Sequence, residues 1–196
     1  MISAETFLQG HCVVVDDSTD EDTHEDSHRV NRNRRGSSSD DFDPRDVDAC
    51  REAALRLLDA APRSCGGLRQ RLVGKGYDER AVDAVIKRLL ELKLLDDRAY
   101  AESAVRYCLN RLMGERGAVM ELRRKGINST LASRVVDEAA HQGLFEESAW
   151  GLGRRIYRKT QGLDRQVRLR RFWAAGGRKG HDPETLRRVA HELMDE

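Results

Sequence analysis

Laid over itself with an offset of 50 positions, the sequence matches in several places at once. Lys75-Gly76 falls on Lys125-Gly126, Asp78 on Asn128, Val85-Ile86 on Val135-Val136, and Leu94-Leu95-Asp96-Asp97 on Leu144-Phe145-Glu146-Glu147. Ala99-Tyr100 falls on Ala149-Trp150, and Tyr107 on Tyr157. A further offset of 54 brings Lys125-Gly126 onto Lys179-Gly180, Asn128 onto Asp182 and Val135 onto Val189. Glycine, cap residue, apolar stripe and acidic pair recur in one order. A period of this length marks one supersecondary unit used three times.

Each copy reads as three helices. In copy one, Val82, Val85, Ile86, Leu89 and Leu90 form the i, i+3, i+4, i+7, i+8 stripe of a helix that buries one face. Asp78 precedes the stripe as its N-cap, and Asn128 and Asp182 repeat that cap. Gly76 stands where a left-handed residue closes the middle helix. The first helix is expected over about 47–60 with Ala54, Leu55, Leu57 and Leu58 inward, and the middle helix carries Leu68 and Leu72. Copy two opens at Asp96-Asp97, whose carboxylates suit the positive end of a helix dipole. Gly114 and Gly117 read as the break before a middle helix carrying Met120 and Leu122. Copy three opens at Glu146-Glu147 and breaks near Gly162, and Gly176-Gly177 weakens its middle helix. No stretch alternates like a strand. The expected fold is all-α: three tandem three-helix repeats (46–95, 96–145 and 146–196) in an elongated, curved stack, since each is too small to bury a good core alone.

The net charge of +1 conceals an asymmetry. Residues 1–45 hold eleven acids and five bases, while residues 46–196 hold 23 acids and 30 bases. The first segment, with Asp16-Asp17, Asp20-Glu21-Asp22 and Gly36-Ser37-Ser38-Ser39, cannot bury enough apolar surface to order itself and is expected to be a disordered acidic arm. It is either a solvated tail or a mimic of nucleic acid. No run approaches the roughly 18 apolar residues of a membrane span. No basic n-region precedes the apolar patch of the first residues, so a secretory signal is not expected. Cys12, Cys50, Cys65 and Cys108 lack zinc spacing, and free thiols in the cytoplasm are the expectation.

Basic charge concentrates toward the C-terminus. Between Gly151 and His181 ten Arg and Lys residues face one acid, Asp164. The candidate binding residues there are Arg154, Arg155, Arg158, Lys159, Arg165, Arg168, Arg171, Arg178 and Lys179, with Arg170 alongside. Arg165, Arg168 and Arg171 are spaced to share a helix face, and a guanidinium stripe attracts phosphates. Phe172 and Trp173 are either core or a stacking platform. A second cluster, Arg123-Arg124-Lys125, either compensates a helix dipole or joins the surface. Catalytic signals are missing: there is no P-loop, no HExxH, no GxSxG and no carboxylate set with metal spacing. Asp96-Asp97 reads as a cap, and His141, His181 and His191 as structural or solvated. No enzyme, cofactor or metal is expected.

The stretches Ala54-Leu55-Arg56-Leu57-Leu58, Leu72-Val73-Gly74-Lys75-Gly76-Tyr77, Leu94-Leu95-Asp96-Asp97-Arg98-Ala99-Tyr100-Ala101-Glu102-Ser103 and Glu121-Leu122-Arg123-Arg124-Lys125-Gly126-Ile127 resemble the RecX family of bacterial regulators of the RecA recombinase. The likeness covers about 50–196 and resides in the order and spacing of several motifs. It implies three tandem three-helix repeats. It also implies binding to the RecA filament on single-stranded DNA, with double-stranded DNA left open, and restraint of its ATPase, strand-exchange and co-protease activities in recombinational repair and the SOS response. A cytoplasmic monomer is the default. The run Ala174-Ala175-Gly176-Gly177 departs from the family pattern, which commonly has a leucine and an arginine before a Gly-aromatic pair. An autonomous helical nucleic-acid-binding module is the alternative, and a helical scaffold for other proteins the next.

Overall fold

The computed structural model describes residues 42–194, and the expected acidic arm lies outside them up to residue 41. The described residues form nine helices: α1 (Val47–Ala60), α2 (Cys65–Val73), α3 (Glu79–Glu91), α4 (Asp97–Asn110), α5 (Glu115–Arg124), α6 (Ser129–His141), α7 (Leu144–Lys159), α8 (Arg165–Lys179) and α9 (Pro183–Met194). Among these residues there is no strand.

Side-chain oxygens start most of the helices by accepting amide hydrogens that have no intrahelical partner. Asp78 accepts from the Arg80 amide at 2.9 Å and Asn128 from that of Thr130 at 2.9 Å. Asp182 accepts from the Thr185 amide at 2.9 Å and holds the start of α9, with Pro183 at its first position. Asp96 takes the amides of Arg98 and Ala99 at the start of α4. Asp97 instead reaches back to the first triplet, where its Oδ1 accepts the Cys65 amide of α2 at 2.7 Å.

Each helix triplet has its own apolar core. Cys50, Ala54, Leu68, Leu72, Val82, Val85 and Leu89 fill the first, and Leu95, from the lead-in to α4, closes it. Ala104, Cys108, Leu122, Val135 and Val136 fill the second, and Phe145, fifty positions after Leu95, closes that one. Leu152, Phe172, Leu186, Val189 and Met194 fill the third. Each large buried side chain contributes about 1.5–3 kcal/mol. Phe172 is fully buried and belongs to the core, whereas Trp173 beside it is 37% exposed and meets the Phe172 ring edge-on.

Three leucine and methionine positions expected inward face out. Leu55 is 37% exposed, Leu90 45% and Met120 71%. Leu55 and Leu90 each stand one residue past a fully inward position, Ala54 and Leu89, and are turned about 100° from it. On α5 the inward face is Gly117, Ala118 and Leu122, and Met120 lies opposite.

Gly117 does not break a helix; it lies buried inside α5 because another backbone passes there. A Cβ at Gly117 would stand 2.2 Å from the Lys179 carbonyl oxygen, and one at Gly66 would stand 2.3 Å from that of Gly126. These are equivalent joints. In both, the N-terminus of a middle helix rests on the turn that closes the middle helix of the next triplet. Those turns need left-handed glycines: Gly126 has φ 83° and Gly180 φ 74°, and Gly76 (φ 98°) serves the first triplet. In the first joint Ser64 accepts the Gly67 amide at 2.9 Å and donates its hydroxyl to the Lys125 carbonyl. In the second, the Gly114 amide donates to the Lys179 carbonyl at 3.0 Å and the Arg116 amide to that of Gly180 at 3.2 Å.

The helix α8 runs unbroken through Gly176 and Gly177. Gly176 is buried under Leu186, whose Cδ1 would lie 2.5 Å from an added Cβ, while nothing stands within 4 Å of one at Gly177. Gly177→Ala is therefore expected to stabilise the fold by about 0.5–1 kcal/mol, and Gly176→Ala to destabilise it, in paired thermal melts.

The fold begins before α1. The Phe42 ring meets that of Tyr77 edge to face with centroids 5.0 Å apart, and the Asp78 amide donates to the Pro44 carbonyl at 2.8 Å. The last four residues of the expected arm, 42–45, are thus structured.

Candidate interaction surface

The chain reverses after α4 through Leu112, whose φ of 55° is left-handed and unfavourable for a branched side chain. Donors from the third triplet take three successive carbonyls there. Lys179 Nζ donates to Arg111, His181 Nε2 to Leu112 at 3.0 Å, and Ser148 Oγ to Met113 at 2.9 Å. Carbonyls at a helix end lack intrahelical donors, and a cation suits the negative end of the dipole.

Of the two roles expected for His181, structural or solvated, the fold gives it the structural one: it is 5% exposed within this joint. A carbonyl can only accept, so Nε2 carries the hydrogen of the neutral ring. Burial holds the His181 pKa below its ordinary 6.5, with the Leu112 bond opposing and Lys179 adding to the fall. A base with a depressed folded-state pKa binds more protons when unfolded. Its stabilisation is full above about pH 6.5 and is lost as pH falls toward the folded value. Melts between pH 7.5 and pH 5.5 are expected to show this loss, and His181→Gln to flatten it.

The same joint gathers cations. The Tyr107 ring of α4, 46% exposed, has the Arg111 guanidinium 5.5 Å from its centroid and Lys125 Nζ 5.4 Å from it. Arg111 Nη1 also donates to Tyr107 Oη at 2.7 Å. Lys179 comes next, its pKa lowered by burial and then by repulsion from Arg111 and Arg155. From Arg155 the charge continues along the exposed side of α7 through Arg154, Arg158 and Lys159, none of which makes an ion pair among the described residues. On the other flank Arg124 holds Glu121 through two bonds of 2.8 and 2.9 Å, and Lys125 lies 3.6 Å from it. The Arg124 hydrogen bond holds the Glu121 carboxyl below its usual range, with both charges reinforcing it.

The structure thus brings Lys125, Lys179 and Arg155 into one cationic strip across the second joint, flanked by Arg123, Arg124, Arg154, Arg158 and Lys159. Arg178 is exposed. It does not make Arg165, Arg168 and Arg171 a shared open face. Arg165 Nε donates to the Met194 carbonyl at 3.2 Å. Arg168 lies 5.4 Å from the Tyr157 ring centroid with its Nε buried and lacking an acceptor. Of the three, Arg171 alone stands exposed without such a contact among the described residues. Tyr107 and Arg111 escaped the sequence reading as site residues, although their i, i+4 spacing, from the last turn of α4 to its C-cap, could have signalled an aromatic and a cation on one face.

At the α7 end of the strip lies an open groove of about 580 Å³. Half-buried Leu112, Gly151, Tyr157 and Leu193 form its floor, and exposed Arg154, Arg155 and Arg158 its rim. Among the described residues no cluster of His, Cys, Asp and Glu could hold a metal, and no helix is long and apolar enough to cross a membrane. Burial, with help from Asp97, pushes the Cys65 thiol up to about 12, and burial pushes that of Cys108 up to about 11. Neither supplies thiolate at neutral pH.

Two family models match this chain: the first three-helix domain of RecX over residues 50–89 and the second over residues 96–136. The Regulatory protein RecX of Streptomyces coelicolor is 34% identical over 155 residues, which is 78% of this chain and 82% of that protein. The chain belongs to the RecX family. The Regulatory protein RecX of Thermobifida fusca is 30% identical over 155 residues, 78% of this chain and 83% of its own length. The crystal structure of RecX from Lactobacillus salivarius shares the fold with a TM-score of 0.66 at 22% identity, covering 76% of this chain and 96% of that one. The expected all-helical repeat architecture stands.

Proposed function

We propose that this chain is a regulator that binds the filament of a RecA-type recombinase on single-stranded DNA and restrains its ATPase, strand exchange and co-protease activity. It does so as a binding protein without a cofactor, as a monomer in the cytoplasm, and so tunes recombinational repair and the SOS response. The name shared by its relatives supports a regulatory role. The observation that carries the reading to a surface is the strip from Lys125 through Tyr107, Arg111 and Lys179 to Arg155. Cations crowded on Lys179, which lower its proton affinity beyond the effect of burial, leave a potential that a polyanion relieves. A nucleoprotein filament presents phosphates.

The test is ATP hydrolysis by the host's RecA-type recombinase on single-stranded DNA, titrated with the full chain. A progressive fall supports the reading. Tight binding to bare DNA with hydrolysis unchanged points instead to a nucleic-acid module without a recombinase partner.

A further inference from the structure

We infer that the groove between Leu112 and α7 is a docking site for an acidic protein segment carrying an apolar anchor residue. This deepens the filament reading, on which it rests, by assigning the groove to the protein component of the target rather than to its nucleic acid.

The chemistry of the groove separates the two. Its rim is three guanidiniums, Arg154, Arg155 and Arg158, spaced i, i+1 and i+4 on α7, with no carboxylate in the lining among the described residues. Guanidinium forks pair with carboxylates as well as with phosphates, so charge alone leaves both ligands open. The floor decides between them. Leu112 and Leu193 are aliphatic and half-buried, and the one ring, Tyr157, already carries the Arg168 guanidinium 5.4 Å from its centroid. Nucleic-acid strands seek aromatic platforms; an aliphatic floor is filled by an aliphatic side chain, whose burial removes apolar surface from water. A groove of about 580 Å³ is ample for a few residues.

The floor is also held in place by the fold. Leu112 keeps a left-handed backbone, φ 55°, that a leucine adopts only under constraint. The donors Lys179 and His181, on the carbonyls of Arg111 and Leu112, supply that constraint. Beside it in the floor, Gly151 makes room: a Cβ there would come within 2.8 Å of Leu112 Cδ2. The glycine lets the leucine lie against α7.

The probes are three fluorescein-labelled polyanions of equal charge: a nonapeptide of Asp and Glu with a central leucine, the same peptide with serine there, and an oligothymidylate. Each is titrated against the full chain by anisotropy. The leucine peptide should bind about tenfold more tightly than the serine peptide. In Leu112→Asn, which keeps a residue tolerant of the left-handed turn, that preference should fall to about one while the charge-driven binding persists. The double variant Arg155→Glu/Arg158→Glu, at exposed positions, should lose both peptides. Equal binding of the two peptides overturns the inference, as does a leucine preference that survives in Leu112→Asn or peptide binding that survives in the double variant. Binding by oligothymidylate that exceeds both peptides makes the groove a nucleic-acid surface and also overturns it. The filament reading stands or falls separately, on whether the unaltered chain slows recombinase ATP hydrolysis.

Discussion

Alanine in place of Gly117 will destabilise the chain by about 3 kcal/mol, the upper end of what overpacking costs. That corresponds to a fall of roughly 6–12 °C in Tm for a fold of this size. The change is favourable by helix propensity, because Gly117 lies inside α5. Packing outweighs it: the new Cβ would stand 2.2 Å from the Lys179 carbonyl oxygen, and backbone cannot rotate aside as a side chain can. Relief requires α5 and the α8–α9 turn to separate, which lengthens the Gly114–Lys179 and Arg116–Gly180 hydrogen bonds. It also withdraws Lys179 from Arg111 and His181 from Leu112, and so disturbs the strip as well as the fold. The matched control is Gly177→Ala, the same substitution on a helix with open space around it. A Gly117→Ala protein that melts with the wild type would show that the close approach at this joint is not what holds the two triplets together.

The second large effect concerns charge. Reversing Arg154, Arg155 and Arg158 together to Glu is expected to weaken binding to the recombinase filament by at least about tenfold at moderate salt. The salt dependence of filament binding should weaken with it, since exposed charges are screened by salt. The three side chains are exposed and without ion pairs among the described residues, so the melting temperature should change little. Reversal of Arg165 and Arg168 makes the contrast. Those residues serve the Met194 carbonyl and the Tyr157 ring, so that loss should appear first in stability. Binding isotherms over a salt series, beside thermal melts of the same proteins, separate the two patterns.

What the sequence disclosed follows from the range of the interactions. Caps act over two or three residues, so Asp78, Asn128 and Asp182 could be read directly, as could the turn glycines Gly76, Gly126 and Gly180. The stripes of α3 and α6 repeat at helical spacing and so marked their buried faces. The turn closing the third copy's middle helix is offset by 54 rather than 50 because α8 begins fifty positions after α5 but reaches its lysine four residues further along, at Lys179 rather than at the equivalent of Lys125. Other features hid because their causes lie far along the chain. Gly117 looks like a helix breaker until the Lys179 carbonyl is found against it. His181 looks unremarkable until its acceptor, 69 positions earlier, is known. The Arg165–Arg168–Arg171 spacing is sound as helix geometry, but the neighbours that engage the first two come from α7 and α9. Tyr107 and Arg111 join the surface only because the second joint sets Lys179 beside them.

One titration bears most directly on the role of this face. Single-stranded-DNA-dependent ATP hydrolysis by the host's RecA-type recombinase is followed as the full chain is added, in parallel with the Arg154→Glu/Arg155→Glu/Arg158→Glu variant. Hydrolysis should fall with the wild type, with the curve for the variant displaced by about tenfold or more. Hydrolysis that holds steady throughout, or falls identically with both proteins, would contradict the claim that this face restrains the filament.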